Sequence, residues 1–270
     1  MGGEELFEGG CEIWIASIPE FTEHQAALDG VLTPDEREHV HRTREGRATA
    51  RLSRGLLRLV FARYLNLPPA EIEIDRSCPE CGRSHGRPRL RRRPETAIRT
   101  SKGGDPLEPP RGSAAVETIE FSVTHGGDLL VLAFADNAPV GVDVEPIGAL
   151  EDVGAELLDF TLTAVERLRL QEVPEPQRKR IFLRHWTGKE AILKALGTGL
   201  DVEPQAVTLP PFPINGKASV TLPGSPPVDL WITDVEVGPA HVCTLATGQE
   251  VRKLRSARLS PRACLPNPGR

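Results

Sequence analysis

Two acidic side chains in the segment GVDVEP, residues 141–146, have a spacing that a metal site could use. Successive side chains of a β-strand point to opposite faces, so Asp143 and Glu145 share one face while the valines between them point into the core. Two carboxylates on one face repel each other unless a cation lies between them. The segment predicts either a cation site or an ordinary half-exposed strand with acidic outer residues.

A second segment, WTGKEAILK at residues 186–194, adds a carboxylate and two of the six lysines in the chain. Trp186, Glu190 and Lys194 are four residues apart, which places them along one face of a predicted helix. Lys189 adjoins Glu190. A surface Glu190–Lys194 pair would contribute roughly 0.3 kcal/mol. Such a pair explains neither the tryptophan nor the concentration of lysine in an arginine-rich chain.

Together the two segments predict phosphoryl-type chemistry on an anionic substrate. Hard cations such as Mg²⁺, or Mn²⁺ in its place, bind carboxylate oxygens, keep several waters and are completed by substrate phosphates. Lysine and arginine then neutralise the charge of the phosphates. A Mg²⁺-dependent phosphohydrolase could use the same carboxylates, so these residues alone do not separate it from a transferase.

Charge is divided unevenly along the 270 residues. The formal net charge is −5, which disfavours nucleic acid as the main partner. Residues 31–100 contain 16 arginines, no lysine and 9 acidic residues, so their local charge is +7 and the remainder carries −12. A basic stretch within an acidic chain indicates a local anion site, although a solvated basic face has the same composition.

No segment of the sequence indicates a membrane or secreted protein. No apolar run approaches the ~20 residues that a membrane helix needs, and the acidic start lacks the apolar core of a signal peptide. The five cysteines are odd in number, which disfavours a disulfide framework. We therefore expect a cytoplasmic protein with no membrane partner.

The predicted elements that carry these residues occur in the same order twice. LTPDER from residue 32 and LTAVER from residue 162 share Leu-Thr followed by Glu-Arg at the same offset. In each half a strand precedes this segment, and a long amphipathic helix follows it, over 46–65 and 176–196. Thr33 and Glu36 add a capping box to the first copy. The repeated order predicts an internal duplication.

The predicted architecture is α+β and has two subdomains. The N-terminal subdomain covers 1–135 and contains a mobile loop at about 75–118, and the C-terminal subdomain covers 136–250. The Arg/Pro-rich residues 251–270 predict a flexible tail. Besides the helices, the pattern predicts strands over 11–18, 119–134, 139–145 and 206–247.

GVDVE at residue 141, followed by WTGKEAILK at residue 186, closely resembles the paired motifs of the 4′-phosphopantetheinyl transferase family. These motifs are G-[IV]-D-[IV]-E and W-x-x-K-E-A-x-x-K. The resemblance is to the Sfp-like type, which activates nonribosomal peptide and polyketide synthases, and it covers about residues 11–245. FSVTHGG, Gly86-Arg-Pro and the N-terminal arginine helix also match family segments. The resemblance implies two pseudo-symmetric α/β subdomains that mimic a dimer within one chain, so we expect a monomer.

The resemblance implies a holo-[acyl-carrier-protein] synthase with coenzyme A as substrate and Mg²⁺ as cofactor. A serine hydroxyl of an apo acyl or peptidyl carrier protein would attack the β-phosphorus, and 3′,5′-ADP would leave. The metal ligands would be Asp143, Glu145 and Glu190. The catalytic residues would be Glu190, Lys194 and His125, with Glu190 helping to deprotonate the serine. The coenzyme A contacts would be Arg51 and Arg47 on the 3′-phosphate, Lys189, Lys194 and His125 on the pyrophosphate, and also Arg87 and Thr124.

Some positions depart from the family pattern. Arg87 replaces the usual lysine but stays charged and bidentate, and Thr124 replaces the usual serine but keeps a hydroxyl. Asp35, Glu36 and Glu38 are acidic where the family is basic, which leaves the adenine-side contacts open.

The segment CPECG, which contains Cys78 and Cys81 and is followed by His85, is half of a zinc ribbon. A closed zinc site needs four ligands, and the sequence contains no second C-x-x-C. A reduced surface turn is the preferred interpretation, with a zinc site or a redox pair as alternatives. A nucleic-acid-binding adaptor built on CPECG and RPRLRRRP would bind in a salt-dependent way, but it leaves GVDVE and WTGKEA unexplained. We therefore expect no nucleic-acid partner.

Overall fold

The chain forms two halves that each pack helices against a sheet, which confirms the predicted α+β class. None of the described helices is both long and apolar enough to cross a bilayer. The computed structural model describes residues 10–43, 46–78, 81–82, 86–91, 119–149, 152–211, 215–222 and 224–265.

The first half begins with a buried strand and contains one long helix. The strand is β1 (Gly10–Ser17), and it is followed by a 3-10 turn, α1 (Gln25–Val31), α2 (Pro34–Arg42) and the long helix α3 (Arg47–Leu65). Its remaining strands are β2 (Ile74–Asp75), β3 (Arg89–Leu90), β4 (Ile119–Gly126) and β5 (Leu129–Asp136). The predicted capping box begins α2, because Thr33 and Glu36 each bond the backbone N–H of the other.

The second half follows the same plan. It begins with β6 (Val140–Pro146), α4 (Ala155–Thr161), α5 (Ala164–Glu172) and α6 (Glu175–Leu196). Its other strands are β7 (Val207–Thr208), β8 (Gly216–Val220), β9 (Val228–Asp234) and β10 (His241–Thr247). Thr163 and Glu166 form a second capping box at the start of α5.

The strand order of the two sheets is alike in both halves. In the first sheet, β1 pairs with β5 and β5 pairs with β4, both antiparallel. In the second sheet, β6 pairs with β10 and β10 pairs with β9, again antiparallel, and β8 and β7 extend the sheet. The order of strand, helices and hairpin thus occurs twice, in keeping with the duplication that the sequence predicts.

The predicted flexible tail over 251–270 is wrong for much of its length. Residues Lys253–Leu259 form β11, which pairs in parallel with β1 at the edge of the first sheet, and α7 (Pro261–Cys264) follows. The side chains of β11 are exposed except for Leu259, so the sequence gives no burial signal here. The strand is held by backbone hydrogen bonds to β1, which depend little on side chains. Residues 266–270 lie outside the described residues.

The predicted mobile loop at about 75–118 is described only in part. β2 and β3 pair antiparallel, with Ile74 opposite Leu90 and Asp75 opposite Arg89. The two ends of this part of the segment are therefore joined in a short β-ribbon, while the described residues between the two strands form no strand or helix. Residues 92–118 lie outside the described part of the chain.

The two sheets pack against each other through a shared apolar core. In this core Ile13 and Ile15 of β1 meet Val142 and Val144 of β6. Because strand side chains alternate, Asp143, between the two valines, points to the other face, under α6. A Cβ atom on Gly141 would lie 1.9 Å from the carbonyl oxygen of Ala191, so glycine lets α6 rest directly on β6.

Candidate active site

Three side chains from different elements converge where β4, β6 and α6 meet. The Lys194 ammonium donates to Asp143 Oδ1 at 2.5 Å and to the Thr124 hydroxyl oxygen at 3.2 Å. Thr124 donates to the same oxygen of Asp143 at 3.0 Å. Asp143 is 5% exposed, whereas the Lys194 side chain is 30% exposed. Because Thr124 belongs to the first half and the other two residues to the second, the cluster joins the halves.

The three carboxylates around this cluster, Asp143, Glu145 and Glu190, carry more negative charge than Lys194 can neutralise. Asp143 Oδ2 and Glu190 Oε1 are buried and have no hydrogen-bond partner among the described residues. Burial raises the pKa of Asp143 in spite of Lys194, and burial followed by the charge of Asp143 raises the pKa of Glu190. The same two causes raise the pKa of Glu145, and a hydrogen bond from Trp186 opposes the rise. A cation among these oxygens would relieve their repulsion.

These carboxylates fit a Mg²⁺ ion that shares its coordination with a substrate. Within the described residues, no three acidic, histidine or cysteine side chains stand close enough to form a metal site by themselves. Mg²⁺ characteristically takes one or two carboxylates together with waters and phosphate oxygens. The unpartnered oxygens of Asp143 and Glu190 are carboxylate ligands of this kind, and the Glu145 carboxylate lies near enough to interact with both electrostatically. The full set of three ligands stays a prediction.

The structure contradicts the implied contact of Lys189 with a pyrophosphate. Lys189 is 1% exposed, and its ammonium donates to Glu166 Oε2 at 2.7 Å. It also donates to the carbonyl oxygens of Pro204 at 3.1 Å and Val207 at 2.9 Å, which uses its three N–H groups. Adjacent helix residues point about 100° apart, so Lys189 does not share the face of Glu190.

Thr124 and Arg87 lie beside α6, whereas His125 points elsewhere. The Arg87 guanidinium donates to the carbonyl oxygens of Ala195 at 3.4 Å and Val140 at 3.5 Å, and burial lowers its pKa. His125 follows Thr124 in β4, so its side chain points to the opposite face of the strand, where it is exposed. The contact of His125 with a pyrophosphate therefore stays a prediction that this geometry does not favour.

The two arginines expected at the 3′-phosphate are bound within the first half. Arg51 pairs with Asp29 Oδ1 at 2.6 Å and donates to Gln25 Oε1 at 2.8 Å, and its side chain is 12% exposed. Arg47 donates to two backbone carbonyl oxygens at the end of α2. These bonds engage two of the five N–H groups of each guanidinium, so the contacts of Arg47 and Arg51 with a 3′-phosphate stay predictions.

Two other arginines of the first half do have unused donors. Arg54 is 9% exposed, and its Nε has no hydrogen-bond partner within the part of the chain that is described. The same is true of Nε and Nη2 of Arg76. Burial, followed by the charge of Arg54, lowers the pKa of Arg76 to about 10. These buried positive charges are therefore incompletely compensated.

Arg54 and Arg76 line a cavity of about 330 Å³. Other basic residues of its wall are already paired, because Arg58 binds Glu36 and Arg91 binds Asp75. The sequence indicated this site only through the +7 charge of residues 31–100. Helical spacing alone could not separate Arg54 from the other arginines of α3, because the difference lies in which neighbours they meet.

A short loop connects this cavity to the cluster at α6. The Gly86 N–H donates to the carbonyl oxygen of Arg76 at 2.7 Å. A Cβ atom on Gly86 would lie 2.5 Å from the carbonyl oxygen of Ser77, so the loop closes tightly at a glycine. The next residue, Arg87, contacts the end of α6. The cavity, whose wall contains four arginines and four acidic residues, and the acidic cluster thus adjoin the two ends of one short loop.

Cys78 and Cys81 form no disulfide in the described structure. The turn between them is closed by a hydrogen bond from the Gly82 N–H to the carbonyl oxygen of Cys78 at 2.8 Å. His85 lies outside the described residues. The geometry of this turn therefore favours neither a zinc site nor a redox pair over a reduced surface turn.

Comparison with known proteins connects this geometry to one group of enzymes. Residues 139–246 match the profile of the 4′-phosphopantetheinyl transferase superfamily. The chain is 26% identical to the 4′-phosphopantetheinyl transferase HetI of Nostoc sp. over 197 residues, which covers 72% of each chain. It is 29% identical to a phosphopantetheinyl transferase of Thraustochytrium sp. over 230 residues, which covers 79% of this chain and 70% of the relative.

One solved structure is similar at a much lower level. It is a holo-(acyl-carrier-protein) synthase from Bacillus anthracis in complex with coenzyme A (3′,5′-ADP), with 14% identity and a TM-score of 0.31. The match covers 40% of this chain and 93% of that structure.

Proposed function

We propose that the chain, whose residues 139–246 match the 4′-phosphopantetheinyl transferase superfamily, transfers the 4′-phosphopantetheine arm of coenzyme A to a serine of an apo acyl or peptidyl carrier protein. The observation that carries this proposal is the pair of orphaned oxygens, Asp143 Oδ2 and Glu190 Oε1, near the Lys194 ammonium. A pyrophosphate that arrives with a metal ion would satisfy both: the ion would neutralise the carboxylates, and Lys194 would bind a phosphate oxygen.

Asp143, Glu145 and Glu190 would hold Mg²⁺, which supplies positive charge to the pyrophosphate during the reaction. Lys194 would donate to a phosphate oxygen while Thr124 keeps its ammonium in place. Glu190 would lie beside the reacting phosphate, and the family resemblance implies that it helps to deprotonate the incoming serine. We propose that Glu190 accepts the serine proton, so that the hydroxyl oxygen can attack the β-phosphorus and 3′,5′-ADP can leave.

The 3′-phosphate of coenzyme A would bind in the arginine cavity and not at Arg47 or Arg51. A phosphate monoester accepts several charge-assisted hydrogen bonds, and Nε of Arg54 and both Nε and Nη2 of Arg76 have no hydrogen-bond partner in the described structure. Arg87, at the end of α6, would bind the part of the substrate that joins the two sites. The first half would therefore hold the nucleotide, and the second half would carry out the transfer.

Intact-mass measurement tests this function directly. Apo carrier proteins of the fatty acid, polyketide and peptide types are incubated with the protein, coenzyme A and Mg²⁺. We expect at least one carrier to gain the mass of one phosphopantetheine group, and we expect EDTA to prevent the gain. The proposal fails if no carrier gains mass. Consumption of coenzyme A without any change in carrier mass would instead identify a phosphohydrolase.

A further inference from the structure

The buried ammonium of Lys189 connects three separate parts of the second half. Glu166, which accepts from it, is the capping-box residue of α5. The two carbonyl groups that also accept from it belong to Pro204 and Val207, in the segment that follows α6. Lys189 therefore fixes α6 to the element before it and to the element after it.

The first half contains the same arrangement around Arg58. This arginine is 2% exposed, and its Nε pairs at 2.6 Å with Glu36, which is the capping-box residue of α2. Its Nη1 donates to the carbonyl oxygens of Pro69 at 2.8 Å and Ile72 at 2.7 Å. In both halves the accepting carbonyls flank a 3-10 turn that begins with proline.

The occurrence of this arrangement in both halves shows whether it serves helix packing or the reaction. In each half a buried cation on the long helix binds the capping-box glutamate of the preceding helix and two carbonyls of the following turn. The first half has this arrangement without the carboxylate cluster of the second. An arrangement that is present with and without the acidic cluster is explained by helix packing and not by binding of a pyrophosphate.

We propose that Lys189 is a positioning residue that sets the rotation of α6, and thereby the place of Glu190, without touching coenzyme A. Lys189 and Ala191 lie on either side of Glu190, each about 100° around the helix. Ala191 rests on β6 at Gly141, and Lys189 is held by Glu166. The face that carries Glu190 is thus fixed from both sides. This inference rests on the proposed function for the role of Glu190.

Movement of Lys189 toward a substrate is disfavoured by what it would leave behind. The Glu166 side chain is 2% exposed, and its second oxygen already accepts from the backbone N–H of Leu209 at 3.2 Å. Withdrawal of the ammonium would leave a buried carboxylate without its counter-charge. Lys194 also pairs with a buried carboxylate, that of Asp143, but its own side chain is 30% exposed, so a phosphate can reach its ammonium without breaking that pair.

Chemical labelling of lysines in the wild-type protein tests the burial of Lys189. An amine-acetylating reagent is applied with and without coenzyme A, and the modified lysines are located by mass spectrometry. We expect Lys189 to stay unmodified in both samples, while the exposed Lys217 is modified in both. Modification of Lys189 in the free protein, whether or not coenzyme A protects it, would overturn the proposal.

Variants then separate positioning from phosphate binding. For Lys189→Met we expect a loss of kcat of about 10- to 100-fold and a higher Mg²⁺ requirement, because a small misplacement of a reacting group has effects of this size. The dissociation constant for coenzyme A without metal should change less than about threefold. Glu166→Gln should reproduce these effects, and Lys189→Arg should recover part of kcat, since Arg58 occupies the equivalent position.

Lys217→Met is the matched control, because it removes an exposed lysine of the same half. The proposal is wrong if Lys189→Met weakens coenzyme A binding more than about tenfold while Glu166→Gln leaves kcat unchanged. If Lys189→Met does not fold, the kcat of Glu166→Gln and the labelling of Lys189 in the wild-type protein still test the positioning role. If the wild-type protein modifies no carrier, the proposed function fails, whereas labelling still reports on Lys189.

Discussion

The two halves of the molecule share a scaffold but treat the strand beneath the long helix differently. In the first half, Glu12 of β1 accepts from the Tyr64 hydroxyl at 2.5 Å, and the Trp14 indole N–H donates to the same hydroxyl at 2.8 Å. In the second half, Asp143 of β6 and Glu190 of α6 keep buried oxygens without hydrogen-bond partners among the described residues. The buried carboxylate of the strand is thus hydrogen-bonded in the first half, whereas the carboxylates at the equivalent place in the second half keep unpartnered oxygens.

This difference shows where the energetic cost of a functional site is located. Buried polar groups are normally hydrogen-bonded, and a group that is not lowers the stability of the folded chain. Each half folds with a capping box and a buried cation on its long helix, Arg58 in the first half and Lys189 in the second. The scaffold therefore does not require the unpartnered carboxylates of the second half. Their retention is understandable if a ligand completes them.

The largest expected effect is on the transfer rate. Asp143→Asn removes the charge that holds Lys194 and that would bind the metal ion, so we expect kcat to fall by about 10³-fold, equivalent to about 4 kcal/mol. Carrier mass gain under single-turnover conditions measures this. The control in the other half is Glu12→Gln, which should keep kcat within about twofold. Equal losses of rate in the two variants would show that the halves do not differ in this way.

The second prediction concerns binding in the first half. Arg54→Met removes a buried donor of the cavity, so KM for coenzyme A should rise about 10- to 100-fold, the range for one charged hydrogen bond. KM for dephospho-coenzyme A, which lacks the 3′-phosphate, should not change. Arg51→Met should instead lower the melting temperature, because Asp29 loses its partner. If Arg51→Met alone raised KM, the family assignment of the 3′-phosphate would be right.

The smallest expected effect is on thermal stability, and it is found by making the same glutamate-to-glutamine substitution in each half. A glutamate with a raised pKa contributes stability below its ordinary pKa and loses that contribution as the pH rises through the raised value. At neutral pH the ionised Glu190 is therefore destabilising in the metal-free protein. Glu190→Gln should raise the melting temperature there, by about 2–4 °C per kcal/mol, and the gain should disappear in acid.

Glu12→Gln should have the opposite sign, because Glu12 accepts from Tyr64 and lies 3.6 Å from Arg255. Thermal unfolding of both variants across a pH series, with and without Mg²⁺, measures the contrast. Mg²⁺ should stabilise the wild-type protein more than Glu190→Gln. Destabilisation by both substitutions at neutral pH would contradict the view that Glu190 lowers the stability of the metal-free protein whereas Glu12 raises it.

Local sequence patterns predicted the elements that make the site. Alternation in residues 141–146 separated Asp143 from the core valines, and spacing by four placed Glu190 and Lys194 on one face of α6. The capping box at Thr33 was also readable, because it depends on residues three apart. Such signals survive in sequence because they arise from short-range geometry.

Long-range pairing explains what the patterns did not predict. The parallel pairing of β11 with β1 joins residues at opposite ends of the chain through backbone groups, and its exposed side chains leave no burial signal. Arg51 and Arg54 have the same residue type and lie three positions apart on one helix. Only their neighbours, Asp29 for the first and the cavity with Arg76 for the second, distinguish them.

The sequence by itself determined the α+β class, the repeated order of elements, and the identity of the acidic and basic groups that could handle a phosphate. The tertiary structure decided which of these groups are already neutralised. Lys189 and Lys194 are both lysines of one motif, yet Glu166 engages the first and Asp143 holds the second at the cluster. The physical reason is that charge compensation depends on distances across the fold, which spacing along the chain does not specify.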